Sequence, residues 1–138
     1  MELKEIVNDY VDLLVMFDEA KRKGYRIEFQ LLEEEKKKIH NMYINRLYRA
    51  NDSELCDLKE YLVNLTNELH EKIFQYEQYR NNFFNHVING DDDYIDKLDR
   101  ANSVLNNLIL RTKKYENIVL GLTDLIKTKI YVKKRTIS

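Results

Sequence analysis

The sequence contains no proline and only three glycines in 138 residues. Proline ends helices and glycine weakens them, so a chain that avoids both favours long helices with few interruptions. Apolar residues recur at helical spacing through most of the chain. We therefore predict an all-α fold, an antiparallel up-and-down bundle of three or four long helices that forms one domain over residues 1–138.

Cysteine is almost missing as well, because Cys56 is the only one. A single cysteine excludes an internal disulfide and any metal site built from several thiolates. We expect the thiol of Cys56 to be buried as a small apolar side chain.

The chain has no excess of charge of either sign, and long apolar runs are also absent. The formal net charge is −1, so no overall field attracts nucleic acid or acidic membranes, and nucleic acid is not an expected partner. No apolar run has the length of a membrane span, and the N-terminus shows no signal-peptide core. We expect a cytoplasmic or nuclear protein that contacts membranes only peripherally, if at all.

Helix boundaries follow from the few residues that interrupt the pattern. The predicted helices cover residues 3–23, 26–49, 53–88 and 93–131. Gly24 follows three basic residues and favours a helix end or kink there. The alternative is a weak point inside one long helix. Asn51 and Glu54 have the spacing of a capping box. Gly90 closes the third helix, whereas Gly121 lies inside the last one and predicts a close helix contact or a mild kink.

All four predicted helices have apolar faces, and those of the third and second helices illustrate the candidate core. In the third helix the face repeats in steps of three and four, which predicts one continuous buried seam. Its members are Leu55, Leu58, Leu62, Leu65, Leu69, Tyr76, Phe83 and Val87. In the second helix the predicted core face consists of Leu32, Ile39, Met42, Tyr43 and Leu47.

Residues for catalysis or metal binding do not cluster in the sequence. His40, His70 and His86 are far apart, and none has a second ligand at helical spacing. Three isolated glycines build neither a phosphate-binding loop nor a nucleophile elbow. We predict a protein that is not an enzyme, with no catalytic residue, no metal and no cofactor.

Basic side chains form clusters near helix ends. The clusters that we consider as a basic patch are Lys21, Arg22, Lys23 and Arg26, and then Lys133, Lys134 and Arg135. Helix-terminal and surface cations are the favoured interpretation, because the net charge is balanced. The alternative is a surface for lipid headgroups or nucleic-acid phosphates.

Ten tyrosines and no tryptophan are present. Tyrosine tolerates a half-exposed position and is frequent at contact surfaces. Tyr48 and Tyr61 flank the boundary near Asn51, while Tyr79 and Phe84 lie off the main seam. They form either an exposed patch for a partner or a face that another helix covers.

One segment resembles a known family. It runs from Asn102 to Glu116 and resembles the last helix of GAT domains, the three-helix modules of the GGA and TOM adaptors. The matching residues are Asn102, Leu105, Asn106, Arg111, Tyr115 and Glu116. With the preceding helix and its acidic link, the resemblance covers residues 53–118.

The resemblance implies a non-enzymatic adaptor module in endosomal or endocytic traffic, peripheral to the endosomal or plasma membrane. Its implied partners are ubiquitin, an Arf-type GTPase or a helical peptide. The implied ubiquitin patch consists of Leu47, Tyr48, Leu55, Leu58 and Tyr61, and the implied peptide groove of Leu98, Leu105 and Leu108. The alternative functions are a self-associating structural protein that forms a homodimer and a binder of lipid or nucleic acid.

Overall fold

The computed structural model describes the backbone of residues 2–137 and the side chains of residues 2–129. Nearly all of this part of the chain is helical, and no strand occurs in it. The helices are α1 (Leu3–Lys23), α2 (Arg26–Arg49), α3 (Asp52–Ile88) and α4 (Ile95–Ile137), with a short 3-10 turn (Asp92–Tyr94) before α4. The predicted all-α class is therefore confirmed, and α4 continues past its predicted end at residue 131.

Glycines in left-handed conformation end two of the helices. Gly24 has a φ of 75°, and beside it the Tyr25 N–H donates to the Ala20 carbonyl at 3.1 Å. Gly90 has a φ of 88° and donates its N–H to the Val87 carbonyl at 3.0 Å. Residues with a Cβ atom disfavour this region, so the position of each glycine determines where its helix ends.

The residues of the predicted capping box come together at the start of α3. The Asn51 side-chain oxygen accepts a hydrogen bond from the Glu54 backbone N–H at 2.8 Å. The Glu54 carboxylate accepts a hydrogen bond from Arg46 at 2.8 Å, and this pair links the end of α2 to the first turn of α3. The Arg46 hydrogen bond lowers the pKa of Glu54, and the backbone N–H of Asn51 lowers it further, as expected for the second half of a capping box.

The helix α1 lies between α2 on one side and the hairpin of α3 and α4 on the other. Toward α2, the Tyr10 ring contacts Tyr43, and the Phe17 ring contacts Phe29. Toward the hairpin, Asn8 touches both helices, because it donates to the Tyr61 hydroxyl of α3 and accepts from the Tyr115 hydroxyl of α4.

The core is confined to the part of the hairpin that α1 reaches. Its buried members are Leu3, Ile6, Val7, Val11, Val15, Tyr43, Ala50, Leu55, Leu58, Leu62, Leu69, Tyr115 and Leu122. The last buried residue of α3 is Leu69, and the first of α4 is Ala101. Residues 70–100 therefore form a two-helix stalk in which no residue is fully buried. The continuous seam predicted for α3 is wrong beyond Leu69, because no third helix covers Tyr76, Phe83 and Val87.

Two smaller expectations are also wrong, and one of the two alternatives for Gly121 is excluded. Cys56 is exposed, because Leu55 occupies the core and adjacent helical positions point about 100° apart. Met42 is exposed at the edge of the face that carries Tyr43. A Cβ atom on Gly121 would meet nothing within 4 Å, so no neighbouring helix makes a close contact there.

Leu62→Ala tests the core assignment. Leu62 is 0% exposed, so we expect its truncation to lower the free energy of unfolding by about 2–5 kcal/mol in urea denaturation. Leu120→Ala is the matched control, because Leu120 lies exposed on α4 and its loss should change that energy by less than about 0.5 kcal/mol. Equal losses in the two variants would contradict the assignment.

Candidate protein-binding groove

The side of the hairpin that holds α1 continues into the stalk. Near the end of α1, Glu19 accepts a hydrogen bond from Asn107 of α4 at 3.1 Å. Closer to the tip, the same side of the hairpin forms an open groove with a volume of about 410 Å³. Its lining residues are Tyr76, Tyr79 and Phe83 of α3 and Lys97, Arg100, Ala101 and Val104 of α4.

Helical periodicity explains why the groove and the α1 contact lie on one side. Tyr79 follows Tyr61 by 18 residues, which is five turns of an α-helix. Arg100 precedes Arg111 by 11 residues, which is close to three turns. Tyr61 and Arg111 both contact α1, through Asn8 and Asp12. Tyr79 and Arg100 therefore extend the same surface toward the tip.

Aromatic rings form the α3 wall of the open groove. Tyr76 and Tyr79 meet edge to face with ring centroids 5.7 Å apart, and Tyr79 and Phe83 stack at 6.4 Å. Phe83 in turn contacts Tyr94, which stacks on His86 at 4.0 Å. Tyr79 remains 51% exposed, so this wall offers apolar surface that the protein itself leaves uncovered.

Basic side chains mark the α4 wall. Lys97 and Arg100 are the charged residues that line the open groove. Lys97 lies over the Tyr94 ring with its Nζ atom 4.7 Å from the centroid, a cation–π contact. Among the described side chains, neither Lys97 nor Arg100 makes an ion pair. Farther along α4, Arg111 and Lys114 do pair, with Asp12 and Asp18 of α1.

The implied ubiquitin and peptide sites fall partly inside the core. Leu55, Leu58 and Leu105 are buried, so no partner reaches them while the bundle is intact. The partly covered members are Leu47, Tyr61, Leu98 and Leu108. Tyr48 is the exception, because 84% of it is exposed at the end of α2.

The basic patch is only partly described. Lys21, Arg22, Lys23 and Arg26 are all exposed around the turn between α1 and α2. The side chains of Lys133, Lys134 and Arg135 lie outside the described residues. The described part of the patch is therefore a group of four exposed cations at the turn between α1 and α2.

Sequence reasoning identified Tyr79 but missed the rest of the open groove. Tyr76 and Phe83 fit the apolar seam and were assigned to the core, while Lys97, Arg100 and Val104 were not singled out. A signal was present, because these three positions share the side of α4 that carries Arg111 and Lys114. The pattern does not show where α1 ends along the hairpin, and so it does not show which part of this surface stays open.

Three tyrosines and one glutamate have shifted pKa values. Burial raises the pKa of Tyr43 to about 12, and the nearby Tyr10 adds to the shift. Burial also raises the pKa values of Tyr10 and Tyr115. The hydrogen bond from Arg46 lowers the pKa of Glu54. Across the described residues, no three His, Cys, Asp or Glu side chains come together as a metal site.

Comparisons of the chain with protein-family models, curated proteins and solved structures give no match. Over the described residues, no helix has both the length and the hydropathy that crossing a membrane requires.

The buried Tyr43 predicts a loss of stability at high pH. Its folded-state pKa lies above the ordinary value of 10, so its contribution is complete below pH 10 and declines between about pH 10 and 12. The shift corresponds to roughly 2–3 kcal/mol. We expect Tyr43→Phe to show a shallower decline in urea denaturation across this range. Tyr48→Phe is the control and should follow the unmodified chain. Identical pH profiles for all three proteins would refute the assignment.

Proposed function

We propose that the chain is a non-enzymatic helical protein-interaction module that binds a partner protein in the open groove. The observation that supports this proposal is the aromatic wall of the stalk. Tyr76, Tyr79 and Phe83 line a groove on two helices that no third helix covers. Aromatic side chains that remain exposed together with arginine are typical of protein-binding surfaces.

A finer proposal follows from the resemblance to GAT domains. We propose an adaptor in endosomal or endocytic traffic, cytoplasmic and peripheral to membranes, with ubiquitin or an Arf-type GTPase as partner. The packing of α1 against both α3 and α4 supports it, since a GAT domain has three helices. Because Leu55 and Leu58 are buried, the proposed ubiquitin contact depends on Tyr48 at the end of α2.

Tyr79→Glu tests the groove as the binding surface. A charge on the aromatic wall should reduce the capture of partner proteins from a cell lysate by at least about tenfold, as expected for a central aromatic contact. Gln78→Glu is the matched control, because Gln78 is exposed next to Tyr79 but does not line the groove. Circular dichroism checks that both variants remain helical. Equal capture by both variants and the unmodified chain would rule out the groove.

A ubiquitin titration followed by NMR tests the finer proposal. We expect chemical-shift changes around Tyr48 at ubiquitin concentrations up to about 1 mM, because a single exposed aromatic residue gives weak binding. Tyr48→Ala should abolish these changes, whereas Tyr25→Ala should retain them, since Tyr25 is exposed at the other end of α2. A spectrum that ubiquitin leaves unchanged would end the ubiquitin proposal and leave the groove proposal standing.

A further inference from the structure

The protein contains its own example of a helix bound on this side of the hairpin. Val7, Val11 and Val15 of α1 are buried in the core that α3 and α4 share. Beside them, Asp12 pairs with Arg111, and Asp18 pairs with Lys114 at 2.6 Å. The hairpin thus holds a helix through apolar contacts along the middle and carboxylates placed on the basic side of α4.

The open groove repeats both parts of this arrangement. Its α3 wall supplies Tyr79 five turns beyond Tyr61. Its α4 wall supplies Lys97 and Arg100 on the side that carries Arg111 farther along. The difference is that Asp12 of α1 pairs with Arg111, while Lys97 and Arg100 make no ion pair among the described side chains.

We propose that the open groove binds an acidic amphipathic helix of a partner protein, aligned with α1. The apolar side of that helix contacts Tyr79, Phe83 and Val104, and its carboxylates pair with Lys97 and Arg100. This inference rests on the proposed function and specifies the chemistry of the partner. Opposite charges at the rim of an apolar groove fix the position of a helix and accelerate its association.

The dimensions of the groove suit a short helix. Lys97 and Val104, which line the groove on α4, are seven residues apart, which corresponds to about 10 Å along α4 or roughly two helical turns. Two cations beside an aromatic wall match two carboxylates one turn apart. A nucleic acid backbone would call for a longer row of cations, because each phosphate carries a charge.

The test uses two synthetic helical peptides of 18 residues that differ only in charge. Both carry leucine and phenylalanine along one face, and one has glutamate where the other has lysine on the flanks. Fluorescence anisotropy with the full chain measures both affinities. We expect the glutamate peptide to bind at least about tenfold more tightly, because two ion pairs are exchanged for two repulsions.

Charge reversal in the chain provides the decisive comparison. The double variant Lys97→Glu with Arg100→Glu should prefer the lysine peptide. The double variant Lys37→Glu with Arg49→Glu changes the net charge equally on the exposed face of α2, and it should keep the preference for the glutamate peptide. Circular dichroism of both double variants checks that the helices remain.

Each remaining outcome separates this inference from the broader proposal. Equal binding of the two peptides, or a preference that the groove variant retains, would overturn the acidic-helix inference. Absence of peptide binding combined with Tyr79-dependent capture of lysate proteins would overturn it and leave the proposed function intact.

Other occupants of the groove are also covered by the test. Displacement of the glutamate peptide by an RNA oligonucleotide or by phosphatidylserine vesicles would assign the groove to phosphates instead. A dimer in sedimentation that the Lys97→Glu, Arg100→Glu variant dissociates would assign it to a second copy of this chain. Either result would overturn the inference.

Discussion

The difference in length between the helices determines most of this structure. The helix α1 has 21 residues, whereas α3 has 37 and α4 has 43. At 1.5 Å per residue these are about 31, 55 and 64 Å. A helix half as long as its neighbours can cover only half of the surface between them. The buried core, the uncovered stalk and the groove on the stalk all follow from that limit.

Polar contacts fix where along the hairpin α1 lies. Apolar contacts alone would allow α1 to slide along the hairpin, since valine packs in many positions along an apolar surface. Asn8 bonds to two tyrosine hydroxyls, and Asp12 and Asp18 each meet a cation of α4. Each ion pair contributes little free energy at a partly exposed site. Together the contacts select one alignment, because sliding by a turn would break all of them.

Stability is distributed unevenly as a consequence. The residues that are almost completely buried lie on α1 and on the covered part of the hairpin. The stalk is held by contacts between two helices and by a chain of aromatic rings from Tyr76 to His86. Regions with few buried contacts open locally at a lower free energy than the core, and binding a partner there would order them.

The sequence predicts the local structure well, but it does not predict which apolar faces another helix buries. Gly24, Gly90 and Asn51 mark helix ends by their own backbone and side-chain chemistry, so the helix bounds can be read directly. Periodicity shows which face of α3 is apolar, but it is the same for Leu62, which is buried, and for Phe83, which is not. Whether a face is buried depends on a neighbouring helix and on the residue at which that helix ends.

The same limit explains the candidate sites. The GAT resemblance implies Leu55 and Leu58 as part of a ubiquitin patch and Leu105 as part of a peptide groove, and the structure places all three in the core. Exposure of Tyr48 and Tyr79 depends on neighbours that their own segments do not specify. Lys97 and Arg100 gain significance only from the comparison with Arg111, which requires knowing that Asp12 lies opposite.

The left-handed turn at Gly24 has one consequence for evolution. It divides one long surface of the hairpin into a part that α1 covers and a part that stays open. Displacing this glycine by one turn along the sequence would move the dividing line by about 5.4 Å. A family of such proteins could thus lengthen or shorten the open groove by moving one glycine, with the hairpin itself unaltered.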